Sequence, residues 1–282
     1  MTNPFKPGDD GQVHDTTYWT KHVTKALEEL PLPPEEVLPR NAANWAQQRT
    51  TTLKGASYAP TGALNQNVAG RRVMSPLQGF GQMWQKTYQV RLHGVQVTPT
   101  EVIKVWKENF AKFWPAGNRF FAPLTGIAPG EVALLRITPG GMPLSTGVFV
   151  LYSDDESFTL MTPQGHVFAG WITFSAHEEN GCTVAQAQVL MRANDPIYEL
   201  GLRFGGHKQE DVFWDHTLKS LAEHLNVAVP SVDIRTVCID RKMQWSRAGN
   251  ILQNSAMYTM LYILTTPVRK IREQANKKAA NK

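Results

Sequence analysis

The sequence predicts an α+β fold in which a curved antiparallel β-sheet wraps around a long helix. Two strand-like segments, residues 171–176 and 183–192, are separated by Asn180 and Gly181, a pair suited to the positive φ angles of a two-residue hairpin turn. The second segment alternates apolar and polar residues, which predicts one buried sheet face and one wetter face. After residue 209 the apolar residues change to helical spacing, and they are Trp214, Leu218, Leu221, Ala222 and Leu225. This helix is expected to close the sheet.

The other elements of the domain follow from local signals. Alternation predicts strands at residues 87–97, 131–138, 144–153, 157–162 and 232–239. Thr98, Pro99 and Glu101 form a capping-box pattern that starts a helix, which Pro115 stops after Trp114. The short connections between the central strands predict antiparallel neighbours.

We expect extensions at both ends of this domain, which we place at residues 84–239. Asp15 can cap an amphipathic helix at residues 16–30, and a proline-rich connector leads into residues 31–83, which either drape over the domain or stay loose. Within them, a short helix at residues 41–49 would carry Trp45. Residues 240–282 form a basic amphipathic helical tail.

Charge and cysteine content exclude several classes of function. The net charge of the chain is +5. Residues 241–282 hold nine Lys or Arg and one Glu, a net charge of +8, so the charges of residues 1–240 sum to −3. A nucleic-acid-binding face is therefore not expected, because phosphate binding needs cations spread over the folded surface. The two cysteines, Cys182 and Cys238, favour a reduced cytoplasmic protein. No metal-site spacing, phosphate loop, dinucleotide fingerprint or nucleophile motif is present, so we expect no metal and no cofactor.

The order of strand, helix, several strands and helix resembles the helix-grip fold of the START-like superfamily (SRPBCC). The resemblance covers roughly residues 84–227 and includes the stretches at residues 80–88 and 210–218, which look like an uncharacterised bacterial branch. That superfamily includes lipid-transfer domains, plant hormone receptors and aromatase/cyclases, and it has no universal catalytic motif. The resemblance therefore implies an internal cavity and no particular reaction.

Candidate ligand-binding residues are mainly the aromatic side chains of the predicted interior, which either line a cavity or fill the core. They are Trp106, Phe110, Trp171, Phe174, Met191 and Trp214, together with His166. Trp171 and Trp214 are the first choices for the wall between sheet and closing helix. His166 follows a strand end, where it could transfer protons or bind a polar group. Asp195, Tyr198, Glu199 and Arg203 form a polar patch, either a ligand-orienting pair or a surface salt bridge.

The composition of the C-terminal tail predicts a second binding partner besides an internal ligand. Residues 248–268 carry no charge, yet they include several polar side chains, so a helix lying in the membrane interface suits them better than a spanning one. Residues 243–278 could thus bring the protein to an anionic membrane surface at the inner membrane face, with Arg269, Lys270 and Arg272 near the headgroups.

Three functions remain open at this point. The preferred hypothesis is a non-enzymatic domain that binds a hydrophobic small molecule or lipid. The second is a cyclase or hydratase in which His166 or an acid near Asp195 transfers protons. The third is an interaction module whose terminal helices dock onto each other, onto the domain or onto a second copy in a homo-oligomer.

Overall fold

The computed structural model describes residues 41–46, 52–56, 64–138, 141 and 143–280, without the side chains of residue 65 and residues 268–280. Eight strands and four α-helices lie in these ranges. The strands are β1 (Met83–Arg91), β2 (Arg119–Phe121), β3 (Val132–Ile137), β4 (Leu144–Ser153), β5 (Ser157–Met161), β6 (Phe168–Glu179), β7 (Cys182–Ala193) and β8 (Val232–Asp240). The helices are α1 (Pro99–Asn109), α2 (Pro196–Gly201), α3 (His207–His224) and α4 (Ser255–Ala280).

All eight strands form one antiparallel sheet in the order β2-β3-β4-β5-β6-β7-β1-β8. The hairpin between β6 and β7 turns at Asn180 and Gly181, whose φ angles of 53° and 74° are those expected from the sequence. Side chains from both ends of the sheet, Phe120 of β2 and Val232 of β8, contact the same hydrophobic core. The sheet therefore curves around its inner face, as the helix-grip fold requires.

Helices α1 and α3 pack on this inner face. α1 begins with the expected capping box: Thr98 Oγ1 accepts a hydrogen bond from the Glu101 N–H, and the Glu101 carboxylate accepts one from the Thr98 N–H at 2.8 Å. The α-helix ends at Asn109, and a 3₁₀ turn continues it to Phe113. Each helix buries one apolar stripe, so the main core lies between the helices and the sheet.

A second, smaller core lies on the outer face of β3 and β4. Leu53 and Val68 pack there against Leu134 and Phe149. Part of the predicted N-terminal extension thus covers the domain, while the predicted helix at residues 16–30 and the proline-rich connector lie outside the described residues. Helix α4 packs on β4 on the same side.

The fold class predicted from the sequence is confirmed, and three elements differ in detail. β1 begins at Met83 and ends at Arg91, four to six residues before the bounds expected for it. The short strand β2 has no counterpart among the expected strands. Helix α2 occupies the polar patch, and a π-helical turn, Leu202–Gly206, joins it to α3 through a break at Gly205, whose φ of 107° favours glycine.

Candidate functional site

A cluster of aromatic rings fills the centre of the inner face. Phe174 of β6 stacks on Phe158 at 4.6 Å between ring centroids and contacts Trp106 at 5.1 Å, Phe110 at 5.1 Å and Trp214 at 5.5 Å. Five of the candidate ligand-binding residues belong to this core: Trp106, Phe110, Phe174, Met191 and Trp214. The structure therefore brings them together between the sheet and the closing helix.

Trp171 does not join this group. It pairs with Leu190 across the β6–β7 ladder, whereas Phe174 pairs with the core residue Ala187. Because side chains alternate along a strand, residues three positions apart lie on opposite faces. Trp171 thus lies on the outer face, and the expectation that it forms a wall against the closing helix is wrong.

A buried ionic cluster adjoins the aromatic core where β1 meets the first turn of α3. The Lys86 ammonium is fully buried and donates to Asp211 Oδ1 at 2.7 Å and to the His207 carbonyl at 3.1 Å. Glu210 Oε2 lies 3.0 Å from the same nitrogen. The Tyr88 hydroxyl also donates to Asp211 Oδ1, at 2.8 Å. Two carboxylates therefore share one ammonium inside the fold.

Burial raises the pKa of Glu210 in this cluster to near neutral pH. Burial raises the pKa of Glu210 from 4.5 to about 7, and the neighbouring Asp211 charge adds to the rise, although Lys86 opposes it. Burial, together with the charges of Glu210 and Asp211, also raises the pKa of Tyr88, and burial beside Lys86 lowers the pKa of His207 to about 4. Lys86 and Asp211 thus form an ion pair at 2.7 Å, beside a carboxyl group whose pKa lies near neutral pH and a histidine whose pKa is lowered.

Several buried polar atoms of the interior have no hydrogen-bond partner among the described residues. They include His207 Nδ1 and the indole Nε1 of Trp84, Trp106 and Trp114. Trp84 contacts His207 at 5.0 Å between ring centroids, and Trp114 contacts Phe213 at 5.0 Å. The indole rings of Trp84 and Trp114 therefore contact α3 at points about two turns apart. Buried polar groups are nearly always hydrogen-bonded, so this set is suited to a guest that offers oxygen atoms.

His166 lies in a different environment. It is buried in the turn between β5 and β6, and its Nδ1 accepts a hydrogen bond from the Phe168 N–H at 3.1 Å. Burial lowers its pKa to about 4. The adjacent Gly165 approaches the Gln253 carbonyl so closely that a Cβ would lie 1.9 Å from its oxygen. The turn that contains this histidine therefore packs closely against the segment before α4.

The polar patch around Asp195 holds helix ends in place. Asp195 Oδ1 accepts hydrogen bonds from the N–H groups of Ile197 and Tyr198, and its Oδ2 accepts one from the Asn254 amide at 2.8 Å. Asn254 in turn caps α4 through the N–H groups of its first residues. Glu199 and Arg203 form the expected salt bridge at 2.9 Å. These contacts join α2 to α4 and give Asp195 a structural role.

The outer face of β7, β1 and β8 bears a separate polar groove of about 460 Å³. Its lining consists mainly of amide, hydroxyl and charged side chains: Gln85, Thr87, Gln89, Gln186, Gln188, Asp233, Arg235 and Val237. Gln89 Nε2 donates to Gln186 Oε1 at 2.7 Å, so part of this lining is paired internally. This polar groove does not suit an apolar ligand, whereas the hydrophobic core on the inner face does.

The interpretation of the sequence missed the ionic cluster. Lys86 lies two residues before Tyr88 and four before Val90, so strand alternation alone places it on the buried face once β1 is extended to Met83. In the sequence, Glu210 and Asp211 stand near the start of the predicted helix, where negative charge is favoured. In the structure they face the Lys86 ammonium instead. The signal in the sequence was a lysine in the same alternation as the core residues Tyr88 and Val90, which indicates a buried charge.

Glu210 gives the stability of the protein a specific pH dependence. The pKa of Glu210 in the folded protein lies above its ordinary value, so as the pH rises the unfolded chain loses this proton before the folded chain does. Between pH 4.5 and pH 7, Glu210 therefore lowers the free energy of unfolding by roughly 3 kcal/mol. We expect Glu210→Gln to remove this decrease. Denaturant titrations across that pH window would measure it.

The informative quantity is the difference in unfolding free energy between the variant and the unsubstituted protein at each pH. His166 and His207, whose pKa values are lowered, contribute the opposite slope, but both chains contain them and most of that slope cancels. Glu223→Gln, at an exposed position of the same helix, is the matched control. A difference that stays constant with pH would contradict the prediction.

Comparisons with known proteins found distant similarities to solved structures. No protein-family model and no curated protein matches the sequence. Among solved structures, a START superfamily protein from Mycobacterium smegmatis is 18% identical, with 52% of this chain and 98% of that chain covered and a TM-score of 0.35. The protein Ara h 8.0201 is 10% identical, with 51% and 98% covered and a TM-score of 0.38. The di-domain ARO/CYC protein StfQ from the steffimycin biosynthetic pathway is 11% identical, with 51% of each chain covered and a TM-score of 0.42. These similarities concern the fold alone.

Proposed function

Starting from its START-like helix-grip fold, we propose that the chain binds a hydrophobic small molecule or lipid between the sheet and α3. The observation that carries this proposal is the set of unpartnered polar atoms in an otherwise apolar interior, from Trp84 and His207 at one end to Trp114 at the other. A core that served packing alone would not contain these groups, because each unpaired buried polar group lowers the stability of the fold by about 1–3 kcal/mol. A guest that accepts hydrogen bonds would recover that cost.

The chemistry of the interior narrows the class of ligand. Indole N–H groups donate only, and a protonated Glu210 donates through its hydroxyl, so the guest should carry carbonyl, ether or hydroxyl oxygen atoms on an apolar skeleton. The aromatic rings of Phe158, Phe174 and Trp214 would contact that skeleton. Oxygenated lipids and polyketide-like aromatic compounds fit this description.

The experiment is to extract the purified full-length protein with organic solvent and identify the extract by mass spectrometry. The protein would then be titrated with long-chain fatty acids, sterols and aromatic polyketides, with its melting temperature as the readout. We expect a co-purifying ligand, or at least one class of compound that raises the melting temperature. A protein that carries nothing and gains no stability from any class would contradict the proposal.

A conservative variant tests where the ligand binds. Trp106→Phe keeps an aromatic ring in the core but removes one unpartnered donor, and we expect it to weaken binding about tenfold, the effect of one lost hydrogen bond. Trp245→Phe makes the same change at an exposed position and should leave the affinity unchanged. Equal affinities of both variants for the ligand would place the site elsewhere.

A cyclase or hydratase remains the second candidate, now with Glu210 as its acid or base. The supporting observation is a carboxylic acid whose pKa of about 7 suits proton transfer at neutral pH, beside Asp211, Tyr88 and the aromatic interior. A turnover of a polyketide-like substrate that Glu210→Gln abolishes, while ligand binding persists, would favour the enzyme over the carrier.

A further inference from the structure

Helix α4 buries a polar stripe against the domain. Ser255 and Thr259 are fully buried, and Tyr262 and Thr266, at the same helical spacing, are partly buried. The spacing of four, three and four residues defines one face of a helix. An amphipathic helix on a globular protein normally turns its apolar side inward, and α4 does the reverse.

Specific hydrogen bonds fix this orientation. Thr259 Oγ1 accepts from the Ser145 N–H of β4 at 3.1 Å and from the Asn67 amide at 3.1 Å. The same Asn67 amide donates to the Ser145 carbonyl at 2.7 Å. Asn254 caps the helix and also reaches Asp195, so its first turn is anchored at a second point. The rotation of α4 about its axis is therefore set by polar contacts.

The opposite side of α4 presents an apolar stripe to the surroundings. Its members follow the spacing i, i+3, i+4 and i+7, and they are Met257, Met260, Leu261 and Leu264, which are 54%, 38%, 58% and 70% exposed. The 3₁₀ segment that precedes α4, Trp245–Gln253, exposes Trp245 and Leu252 as well. Contiguous exposed apolar residues of this kind mark an interaction surface.

The charge of the chain indicates which surface this is. Helix α4 continues to Ala280, and its later turns contain Arg269, Lys270, Arg272, Lys277 and Lys278 against the single acid Glu273. A second copy of the chain would bring an equally basic segment, whereas anionic lipid supplies the opposite charge. No helix within the described residues is long and apolar enough to cross a membrane.

We propose that the outward apolar stripe of α4 inserts into the surface of an anionic membrane. The helix would lie in the plane of the interface, with Leu261 and Leu264 among the acyl chains and the basic turns near the headgroups. Trp245 and Tyr258, both exposed, have the amphipathic rings that favour that depth. The inference is independent of the interior ligand, because these side chains lie outside the core.

The test is co-sedimentation of the full-length protein with vesicles. We expect binding to vesicles of equal parts phosphatidylcholine and phosphatidylglycerol, weaker binding to phosphatidylcholine alone, and a decrease with added salt. Leu261→Ser/Leu264→Ser should weaken binding about tenfold or more, because the inserted apolar area is lost. The matched control, Leu77→Ser/Leu124→Ser, changes two other strongly exposed leucines outside α4 and should bind as the unsubstituted protein does.

Three outcomes would overturn the proposal. The first is no binding to anionic vesicles at low salt, and the second is binding that the α4 variant leaves intact. The third is a dimer in analytical ultracentrifugation that Leu261→Ser/Leu264→Ser dissociates, with no vesicle binding by the unsubstituted protein. That third outcome would identify a second copy of the chain as the partner.

Discussion

Replacing Lys86 with methionine should lower the free energy of unfolding by about 3–5 kcal/mol at pH 8. Methionine fills a similar volume, so the loss comes from electrostatics. Asp211 keeps its charge without the ammonium 2.7 Å away, and Glu210 loses the ammonium, 3.0 Å from its Oε2, that favours its ionised form. The large effect requires that the cluster be as buried as the structure has it. Denaturant unfolding followed by tryptophan fluorescence would measure it.

Two comparisons make this result specific to the cluster. Lys219→Met breaks a surface salt bridge to Asp215 on the same helix α3, where both side chains are partly exposed, and should cost less than about 1 kcal/mol. Adding Glu210→Gln and Asp211→Asn to Lys86→Met should restore part of the stability, because no uncompensated charge then remains. Similar losses for Lys86→Met and Lys219→Met would mean that the cluster is solvated.

Phe174→Ala should cost about 3–5 kcal/mol, the usual range for truncating a buried phenylalanine. Phe174 is fully buried and contacts four rings of the core, contributed by β5, by α1 and the 3₁₀ turn that follows it, and by α3. Its loss therefore leaves a cavity that several rigid elements cannot fill together. Thermal and denaturant unfolding of the purified variant would give the value.

Trp171→Ala is the matched control three residues away in the same strand. It removes a larger side chain, yet Trp171 lies half-buried on the outer face, and we expect a loss below about 2 kcal/mol. The order of the two losses is therefore the reverse of the order of side-chain size. A greater loss for Trp171→Ala would show that the β6 face assignment is wrong.

Much of the fold could be predicted from the sequence because its signals are local. The capping box at Thr98, the turn at Asn180 and Gly181 and the stripe through Leu218 and Leu221 each depend on neighbouring residues. The short strand β2 was missed because three residues are too few to establish a period. The start of β1 was predicted four residues too late, because the charge of Lys86 is typical of a residue outside a buried strand.

The candidate site could be predicted only in part. Period-two alternation would have separated Trp171 from Phe174, and both were nevertheless named as candidates for the ligand-binding interior. The pairing of Lys86 with Glu210 and Asp211 joins residues more than 120 positions apart, as the 125-residue separation of Lys86 and Asp211 shows. Contacts across that distance depend on sheet register and on the helix orientation, which local patterns do not encode.

The sequence by itself determined the class of fold, the hairpin, the start of α1 and the concentration of positive charge after residue 240. Only the tertiary structure decided which side chains share the interior and which side of α4 faces outward. The physical reason is the range of the forces involved: turns, caps and periodicity act within a few residues. The rotation of α4 instead depends on hydrogen bonds from Asn67 and Ser145, which reach the helix from distant parts of the chain.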